Sequence, residues 1–294
     1  MLTADFVSAV RRQGAIVSDY PSTDILGVGD GEVRDVFVPL LESLRQNFMV
    51  RELVATPDAR GRVALPPRCV AGGVRSVHLV INNSWVQLPQ RNMEENDSTS
   101  GGLAAAYFLD GGSLVLVPAG STATLRIRYA IRPGAMVLNT DAANAARIDS
   151  VTAGASTYTF TTSPAFTGGS TVDVVSYGST HHPKCVTATR AGLVMQSADF
   201  IEAPVVGDYL CTFDTSPFIP LPEELSGALV HRTAGVILRS LAYEEEAASQ
   251  LTLAAETIAR ATPMLTPRNE GNPQVIKGGL RRALYQGVRG RRFW

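Results

Sequence analysis

The stretch FIPLPEELSGALVHRTAGVILRSLAYEEEAASQLTLAAETIARATP, Phe218–Pro263, decides the fold of the C-terminal half, because its apolar residues recur every three or four positions. That spacing places them on one face of a helix. Pro222 suits the first helical position, and Pro263 is expected to end the helix. One helix of about 40 residues would extend roughly 60 Å at about 1.5 Å per residue. The acidic run Tyr243–Ser249 gives the alternative, two shorter antiparallel helices. The apolar stripe consists of Leu225, Leu229, Val236, Ile237, Leu241, Ala248, Leu251, Ala255 and Ile258.

A second helical pattern fills the first fifty residues. Thr3 is expected to cap a short first helix. In GDGEVRDVFVPLLESLRQNF, Gly29–Phe48, apolar residues keep the helical spacing, and Pro39 should kink or divide that helix. We therefore predict that residues 1–50 supply N-terminal helices that pack with the helix or helix pair of residues 217–262. The apolar face of the second helix comprises Val33, Val36, Phe37, Leu40, Leu41, Leu44 and Phe48.

Between these helical regions the hydrophobic period changes from about 3.6 to 2. Residues 51–138 contain short alternating runs that end at proline, glycine or asparagine, which is typical of an antiparallel sheet. The glycines of LDGGS, Leu109–Ser113, indicate a hairpin turn. Residues 139–216 are rich in threonine and valine and predict a second, small β-sandwich or barrel. The sequence leaves open whether the two β regions form one domain or two.

The fold class that follows is α+β. We expect a helical bundle of N- and C-terminal helices, inserted antiparallel β-sandwich or barrel regions, and an extended C-terminal arm over residues 263–294. The arm has too few apolar residues for a core of its own. Between Gly271 and Trp294 it contains six basic residues and no acidic one. Because the whole chain has a net charge of −1, the remaining residues must hold −7.

Bulk composition limits the class of protein. Hydrophobic residues make up 45% of the chain, enough for a sizeable core. Charged residues make up 18%, below the roughly 25% of typical soluble domains, which favours a surface partly covered by partners. No apolar stretch is long enough to predict a membrane-spanning helix, and the N-terminus lacks a secretory signal pattern. Cys69, Cys185 and Cys211 are odd in number and widely spaced, which predicts reduced, buried thiols in an intracellular protein.

Two motifs contain residue types that occur in small-ligand or metal sites. LGVGDGE, Leu26–Glu32, is glycine-rich, but no strand precedes it and no Lys-Ser/Thr pair follows, so we predict a loop leading into a helix. HHPKC, His181–Cys185, offers histidine and cysteine, but no second ligand pair completes a zinc site, so a surface loop is predicted. The sequence therefore predicts no cofactor and no metal.

Candidate catalytic side chains are equally isolated. His231 lies in the predicted C-terminal helix, where a packed histidine is the more common situation. Glu94, Glu95 and Asp97 fall in a polar loop without a partner acid, which does not support glycosidase chemistry. No serine lies in a nucleophile-elbow sequence. The Glu244–Glu246 run is typical of a solvated helix face. We therefore predict that the chain is not an enzyme.

Three stretches resemble the head-to-tail connector, or adaptor, proteins of tailed bacteriophages, especially podovirus-like particles. GDGEVRDVFVPLLESLRQNFMVRE, Gly29–Glu52, resembles the family's early helix leading into its first strand. AYFLDGGSLVLVPAGSTATLRIRYAIRPGAMV, Ala106–Val137, resembles its hairpin and following strand. FIPLPEELSGALVHRTAGVILRSL, Phe218–Leu241, resembles the return into its last long helix. The segment Ala142–Phe213 is the least typical of the family.

The resemblance implies a structural virion protein that is assembled in the host cytoplasm. It implies a dodecameric ring under the portal protein that extends the DNA ejection channel and serves viral tail assembly by binding downstream tail or nozzle proteins. Partners would be the portal, neighbouring copies of the chain, and genomic DNA passing without sequence-specific contact, with no membrane involved. The predicted portal-docking arm comprises Lys277, Leu280, Arg281, Arg282, Leu284, Tyr285, Arg289, Arg291, Arg292, Phe293 and Trp294.

The same arginines suit either acidic groups on the portal or DNA phosphates. We favour protein docking, because Leu280, Leu284, Tyr285 and Val288 are interleaved with the arginines and DNA binding needs no such residues. Other structural classes remain open: a different phage tail or baseplate protein, a glycan- or receptor-binding β module, or a nucleic-acid binder without sequence preference. A baseplate protein would build its ring from the β regions, and a glycan module would expose aromatic side chains on a sheet.

Overall fold

A computed structural model describes residues 1–44, 49–66, 68–81, 84–92, 104–118, 123–176, 183–200 and 202–266. Within these ranges the chain combines helices at its two ends with antiparallel sheets between them, so the α+β class is confirmed at this level. The helices are α1 (Thr3–Gly14), α2 (Ser22–Glu32), a π-helical segment (Val33–Phe37), α3 (Val38–Ser43), α4 (Glu223–Ser240) and α5 (Glu244–Leu265).

The strands fall into two groups. The first region has β1 (Val50–Ala55), β2 (Arg62–Ala64), β3 (Cys69–Ile81), β4 (Ser84–Leu88), β5 (Ala106–Asp110), β6 (Ser113–Val117), β7 (Leu125–Ile131) and β8 (Ala135–Met136). The second has β9 (Ala145–Ala153), β10 (Thr157–Ser163), β11 (Thr171–Val175), β12 (Pro183–Ala191), β13 (Val194–Gln196), β14 (Tyr209–Thr212) and β15 (Thr215–Ser216).

The helices share one hydrophobic core, to which α1, α2 and α4 contribute their largest buried side chains. Phe6, Ile25 and Phe37 are all fully buried in it. Thr3, expected as a cap, is instead the first residue of α1, and its Oγ1 donates to the carbonyl oxygen of Val137 at 2.6 Å. This bond ties the first helix to the strand region, so the hydroxyl is used by tertiary structure rather than by the helix end.

Pro39 divides the second helical run, as its sequence position predicts. In an α-helix its ring would clash with the carbonyl of Asp35 and its missing N–H would leave that carbonyl unpaired. The backbone widens into the π-helical segment just before it, and Val38 N–H bonds to the Val33 carbonyl five residues back. Such π segments are a known way for a helix to absorb a local irregularity.

The glycine-rich stretch Leu26–Glu32 was predicted to be a loop, and that prediction is wrong: it lies within α2. Tertiary packing explains why. A Cβ on Gly29 would lie 2.8 Å from Met136 Cε and 3.0 Å from the Phe6 ring, so the helix approaches its neighbours where only glycine fits. Gly27 and Gly31 have open space around them and need no such explanation.

The C-terminal helical stretch forms two helices, α4 and α5, which is one of the two alternatives that the sequence left open. The turn between them is a Schellman motif: Tyr243 N–H bonds to the Leu238 carbonyl at 3.0 Å and Ala242 N–H to the Arg239 carbonyl at 3.1 Å. Ala242 takes φ 66°, a conformation that usually belongs to glycine. The helices then pack closely, since a Cβ on Gly235 would lie 2.9 Å from Leu251 Cγ.

Pro263 does not end α5, contrary to the sequence prediction, because the helix continues to Leu265. Its position in the final turn removes only one backbone hydrogen bond. Leu265 is 7% exposed and packs into the helical core, which holds the last turn in place. Packing therefore overrides the helix-breaking preference of proline.

The first β region is a small sandwich. A four-stranded antiparallel sheet, in the order β1-β7-β3-β4, shares a core with the three-stranded sheet β2-β6-β5. Leu125 and Ile127 point into that core as their alternation predicts, while Arg126 and Arg128 occupy the opposite face. The predicted hairpin is present: β5 pairs with β6 across a two-residue turn, and Gly111 has φ 58°.

The second β region is a closed six-stranded barrel in the order β10-β13-β12-β11-β14-β9. Phe160, Ile148 and Leu210 fill its interior together with smaller aliphatic residues. The sequence left a sandwich and a barrel open, because alternating strands serve both. The two regions and the helices meet at the short parallel pair β8–β15, from which Met136 enters the helical core.

Candidate interaction surfaces

The charge of the chain is distributed unevenly among its parts. The helical residues 1–44 and 217–266 contain thirteen acidic and six basic residues, a net charge of −7. Residues 45–216, which hold both β regions, contain thirteen of each and are neutral. Residues 267–294 contain seven basic residues and one acidic residue, a net of +6. The negative charge that balances the C-terminal segment therefore belongs to the helices.

Most of these helical acids lie at the start of a helix. Asp5, Asp24, Glu223 and the run Glu244–Glu246 all occupy first turns. Carboxylates are favourable there because the N-terminal end of a helix carries partial positive charge. Among the described residues, those that are exposed and form no ion pair are Asp5, Asp19, Asp24, Asp35, Glu223, Glu224, Glu245 and Glu246.

Two further helical acids are paired and serve the packing of the chain. Glu32 of α2 forms an ion pair with Arg232 of α4, which joins the two ends of the sequence. Glu42 lies 3.6 Å from Arg75 of β3 and connects α3 to the first sheet. Both pairs are partly exposed, so each adds modestly to stability. The unpaired acids are the ones available for a partner.

A cleft of about 470 Å³ opens where α1 and α4 end and α5 begins. We call it the corner cleft. Hydrogen bonds fix its walls: Gln250 donates from Nε2 to the Gln13 carbonyl at 3.0 Å, and its Oε1 lies 2.7 Å from His231 Nδ1. His231 is thus a packing residue that links α4 to α5, as the sequence predicts. The cleft is lined by Gln13, Gly14, Ala15, Leu238, Glu245, Glu246, Ser249 and Gln250.

The outer face of α5 is poor in charge. A narrow seam of alternating four- and three-residue spacing packs α5 inward, through Ala247, Leu251, Ala254, Ile258 and Ala261. After the acidic first turn, the only charged residues of α5 are Glu256 and Arg260, which pair with each other at 3.1 Å. Leu253 and Met264 are 41% and 75% exposed. This face exposes apolar side chains to solvent.

A buried charge cluster joins the sandwich to the barrel. Arg68, just before β3, places Nη1 2.5 Å from Asp173 Oδ2 on β11 and Nε 2.9 Å from Asp214 Oδ1. Its Nη2 donates to the Arg132 carbonyl at 3.1 Å. The side chains of Arg68 and Asp173 are 7% and 1% exposed. The cluster is a structural connection between the two β regions, because Arg68 lies just before a strand of the sandwich and Asp173 lies on a strand of the barrel.

Asp30 of α2 lies at the junction of the helices with β8. Its two carboxylate oxygens accept from Met136 N–H at 2.9 and 3.0 Å. Burial raises the pKa of Asp30 to about 6, while the Met136 N–H and the Arg34 charge act in the opposite direction. The carboxyl borders a cleft of about 220 Å³ whose other acid, Asp141, is bonded to Asn144. The pKa of the Asp30 carboxyl therefore lies above that of a free aspartate.

The outer face of the four-stranded sheet carries one exposed aromatic cluster. Trp85 on the edge strand β4 is 44% exposed, and the Arg126 guanidinium lies 5.4 Å from its ring centroid. Arg126 Nε also contacts Glu52 Oε1 at 2.6 Å. An indole held by a cation in this way offers a flat surface to a partner.

The remaining predicted candidates are the histidines of the HHPKC motif, the acids of the polar loop and the three cysteines. His181 and His182 lie outside the described residues, as do Glu94, Glu95 and Asp97. Cys185 is fully buried, and burial raises its thiol pKa to about 12. Among the described residues no group of three potential metal ligands comes together. Cys211 is buried and Cys69 half-buried, so only the latter departs from the expectation of buried thiols.

The predicted portal-docking residues, Lys277 to Trp294, all lie outside the described residues. The structure identifies the point from which they continue, the end of α5. Sequence reasoning missed the Arg68–Asp173–Asp214 cluster, whose first two members are 105 positions apart and carry no local pattern. It also missed the corner cleft, although the Glu244–Glu246 run marks its position.

No protein-family model matches this chain, and no curated protein is detectably similar to it. None of the helices in the described ranges has the length and apolar character needed to cross a membrane. A proposal for function therefore depends on the architecture of the chain and on its charge.

Proposed function

We propose that the chain is a structural virion protein, the head-to-tail adaptor of a tailed bacteriophage. In this role a ring of copies docks under the portal, extends the DNA channel and presents an attachment surface for tail components. The proposal rests on the uneven distribution of net charge. The helices have a net charge of −7, the β regions a net charge of zero, and the C-terminal segment a net charge of +6. The family resemblance of three separate stretches is the second support.

An acidic helical unit suits the wall of a DNA channel. Basic walls bind phosphates by releasing counterions and would slow a passing duplex. Exposed carboxylates such as Asp5, Asp24 and Glu223 would repel the phosphates instead. In the proposed ring the N- and C-terminal helices form one bundle facing the channel. Their shared hydrophobic core supports that arrangement.

The apolar face of α5 supports the assembly of several copies. Leu253 and Met264 are exposed in a helix whose outward face carries one internally paired charge couple. Exposed apolar side chains indicate a protein contact when they form a contiguous patch. We propose that this face packs against the neighbouring copy and that the ring follows the portal's twelve-fold symmetry.

The C-terminal segment, continuing from α5, is proposed to dock on the portal. Phe293 and Trp294 would serve as aromatic anchors, and the arginines around them would pair with acidic groups. The neutral β regions would face the tail. They are proposed to bind nozzle or tail proteins through surfaces such as the Trp85–Arg126 cluster.

The test is negative-stain imaging of the chain mixed with its portal, with and without residues after Thr266. This end point leaves α5 intact, since the helix ends at Leu265. We expect the full chain to cap the portal as a ring and the shortened chain to fail. Absence of any ring with the full chain would refute the adaptor proposal. Equal binding of both forms would refute the docking role of the segment.

A double substitution distinguishes docking through aromatic side chains from attraction through charge alone. Phe293→Ala with Trp294→Ala should weaken portal binding by about 30-fold or more, since buried aromatic anchors at interfaces contribute about 2 kcal/mol or more. Val275→Ala with Ile276→Ala, in the same segment but away from the aromatic end, is the matched control and should change affinity little. Binding that weakens steeply with salt and ignores the aromatic pair would indicate DNA contact instead.

A second candidate is a different tail or baseplate component. The closed barrel favours it, because a closed barrel leaves no open edge strands and forms a stable module on its own. In that case the β regions would form the ring. Images of the assembled particle in which the helices lie on the outside would decide for this candidate.

A further inference from the structure

The corner cleft has the shape of a binding site that the proposed adaptor function leaves unused. Its volume of about 470 Å³ falls within the range of ordinary ligand sites. Three helices form it, and the His231–Gln250–Gln13 hydrogen bonds fix their relative positions. Gly14 is buried at its floor, where a Cβ would lie 2.9 Å from Ile16 Cγ1. The site is therefore preformed.

The electrostatics of the corner cleft favour a cationic ligand. Glu245 and Glu246 line it, and among the described residues neither forms an ion pair, whereas Glu244 lies 3.9 Å from Arg239. Helices α1 and α4 end at this corner and α5 begins there, while Arg11, Arg12 and Arg239 lie in the last turns of α1 and α4, so the helix ends do not decide the sign of the charge. The two carboxylates are the lining groups that favour a cation.

Exposed apolar side chains lie close in sequence to the lining residues of the corner cleft. Leu241 and Tyr243, in the turn before α5, are 42% and 53% exposed. Val17, just after α1, is 67% exposed. Side chains of this size stay in water at an energetic disadvantage unless a partner covers them. The ligand that fits best combines arginines with large apolar or aromatic residues.

The chain itself contains a segment with this chemistry. Residues 277–294 contain six basic residues and no acidic one, together with Leu280, Leu284, Tyr285, Phe293 and Trp294. We propose that this segment of the chain's own C-terminus binds in the corner cleft while the chain is free of other partners. This contact does not depend on the adaptor function, and both of its surfaces belong to the same molecule.

The length of the chain allows the contact. The cleft lies at the start of α5 and the segment leaves from its end, so the return path is about 30 Å at about 1.5 Å per residue. About nine extended residues cover that distance at roughly 3.3 Å each. Residues 267–276 therefore suffice as a connection, and residues 277–294 arrive at the cleft. A tethered segment has an effective concentration of about millimolar, which favours the chain's own segment over that of a second copy.

The test uses Trp294 as a reporter in the full chain with Trp85→Phe, which leaves one tryptophan. Acrylamide quenching measures the exposure of Trp294. Glu245→Gln with Glu246→Gln should raise the quenching constant about two- to fivefold, as expected for losing two ion pairs at a surface site. Glu223→Gln with Glu224→Gln is the matched control, since it removes the same charge from the first turn of α4. The control should leave quenching unchanged.

Three outcomes would overturn the proposal. Equal effects of the two glutamine pairs would mean general attraction to an acidic surface, and no effect of either would mean that the cleft is not the site. Quenching that depends on protein concentration between micromolar and tens of micromolar would assign the segment to a second copy. Circular dichroism of every variant shows that a change in quenching does not come from unfolding. Portal binding is measured in a separate experiment, so failure of this proposal would not refute the adaptor proposal.

Discussion

The helices and the barrel use charge in opposite ways. In the barrel, Asp173 and Asp208 are each 1% exposed, and each contacts a nearly buried cation, Arg68 or Lys184. On the helices, Glu223, Glu224, Glu245 and Glu246 are exposed and form no ion pair within the described ranges. The buried charges of the barrel region thus hold one part of the chain to another. Most acids of the helices, apart from the paired Glu32 and Glu42, are instead exposed and available to a partner, which is what an adaptor or a self-binding cleft requires.

Among the variants that test this difference, Arg68→Ala should have the largest effect. It would leave Asp173 buried without its cation, and removing one member of a buried pair typically costs about 3–5 kcal/mol. We therefore expect a drop of that size in the free energy of unfolding, measured by urea denaturation. Arg62→Ala is the control, because Arg62 and Asp110 form an exposed pair at 3.2 Å and should contribute about 1 kcal/mol or less. Similar losses for both variants would contradict the structural role of the cluster.

The second test concerns Asp30, the one helical acid whose pKa is raised to about 6 by burial. Because the folded state binds the proton more tightly than the unfolded state, this group's contribution to stability is greatest below about pH 4 and falls as the pH rises to 6. Asp30→Asn keeps an oxygen acceptor for Met136 N–H and removes the titration. The variant should gain about 1–2 kcal/mol relative to wild type between pH 4 and pH 7.5, a value reduced for partial solvent exposure.

Thermal unfolding at several pH values measures this difference directly. Gly27→Ala, in the same helix with open space around it, removes no titratable group and is the control, so its difference from wild type should not change with pH. A difference between Asp30→Asn and wild type that stays constant from pH 4 to 7.5 would show that the carboxyl does not titrate at the junction.

The third test addresses how closely α2 packs in the helical core, a contact by shape that adds to the ion pair between Glu32 and Arg232. Gly29→Ala would place a Cβ 2.8 Å from Met136 Cε and 3.0 Å from the Phe6 ring, so the core must shift. We expect a loss of about 1–2 kcal/mol by overpacking. Gly31→Ala lies in the same helix with open space and should gain up to about 1 kcal/mol from helix propensity. Opposite signs for the two variants in thermal unfolding are the expected result.

The sequence predicted the parts of the fold that rest on local patterns. The helical character of residues 217–262 and the glycine turn between β5 and β6 are examples, since periodicity and turn chemistry act over a few residues. The predicted apolar stripe is correct in α4 but wrong at Leu241, Ala248 and Ala255, which are exposed because the break between α4 and α5 changes the buried face. The barrel could not be told from a sandwich, because inward and outward residues alternate in both. The helix through Leu26–Glu32 was missed because glycine disfavours helices locally, while the contact that needs Gly29 comes from Phe6 and Met136.

The candidate site, too, was predictable from the sequence only where it rests on a local pattern. The Glu244–Glu246 run is visible in the sequence, but the cleft beside it requires α1, which lies more than 200 residues earlier. The Arg68–Asp173 contact is likewise distant in sequence and has no local signature. The net charge predicted a negative body but not its location, which only the placement of the helices could give.

The smallest expected effect concerns the turn between α4 and α5, which contains no glycine. Ala242 has φ 66°, which strains an L-residue, and its backbone N–H already bonds to the Arg239 carbonyl. Ala242→Gly should therefore raise the free energy of unfolding by about 1 kcal/mol, since glycine adopts this conformation without a Cβ clash. Ala248→Gly, exposed within α5, should lower it by about the same amount. If both variants destabilise the chain, the turn is not held in the left-handed conformation, and the corner cleft loses its fixed wall.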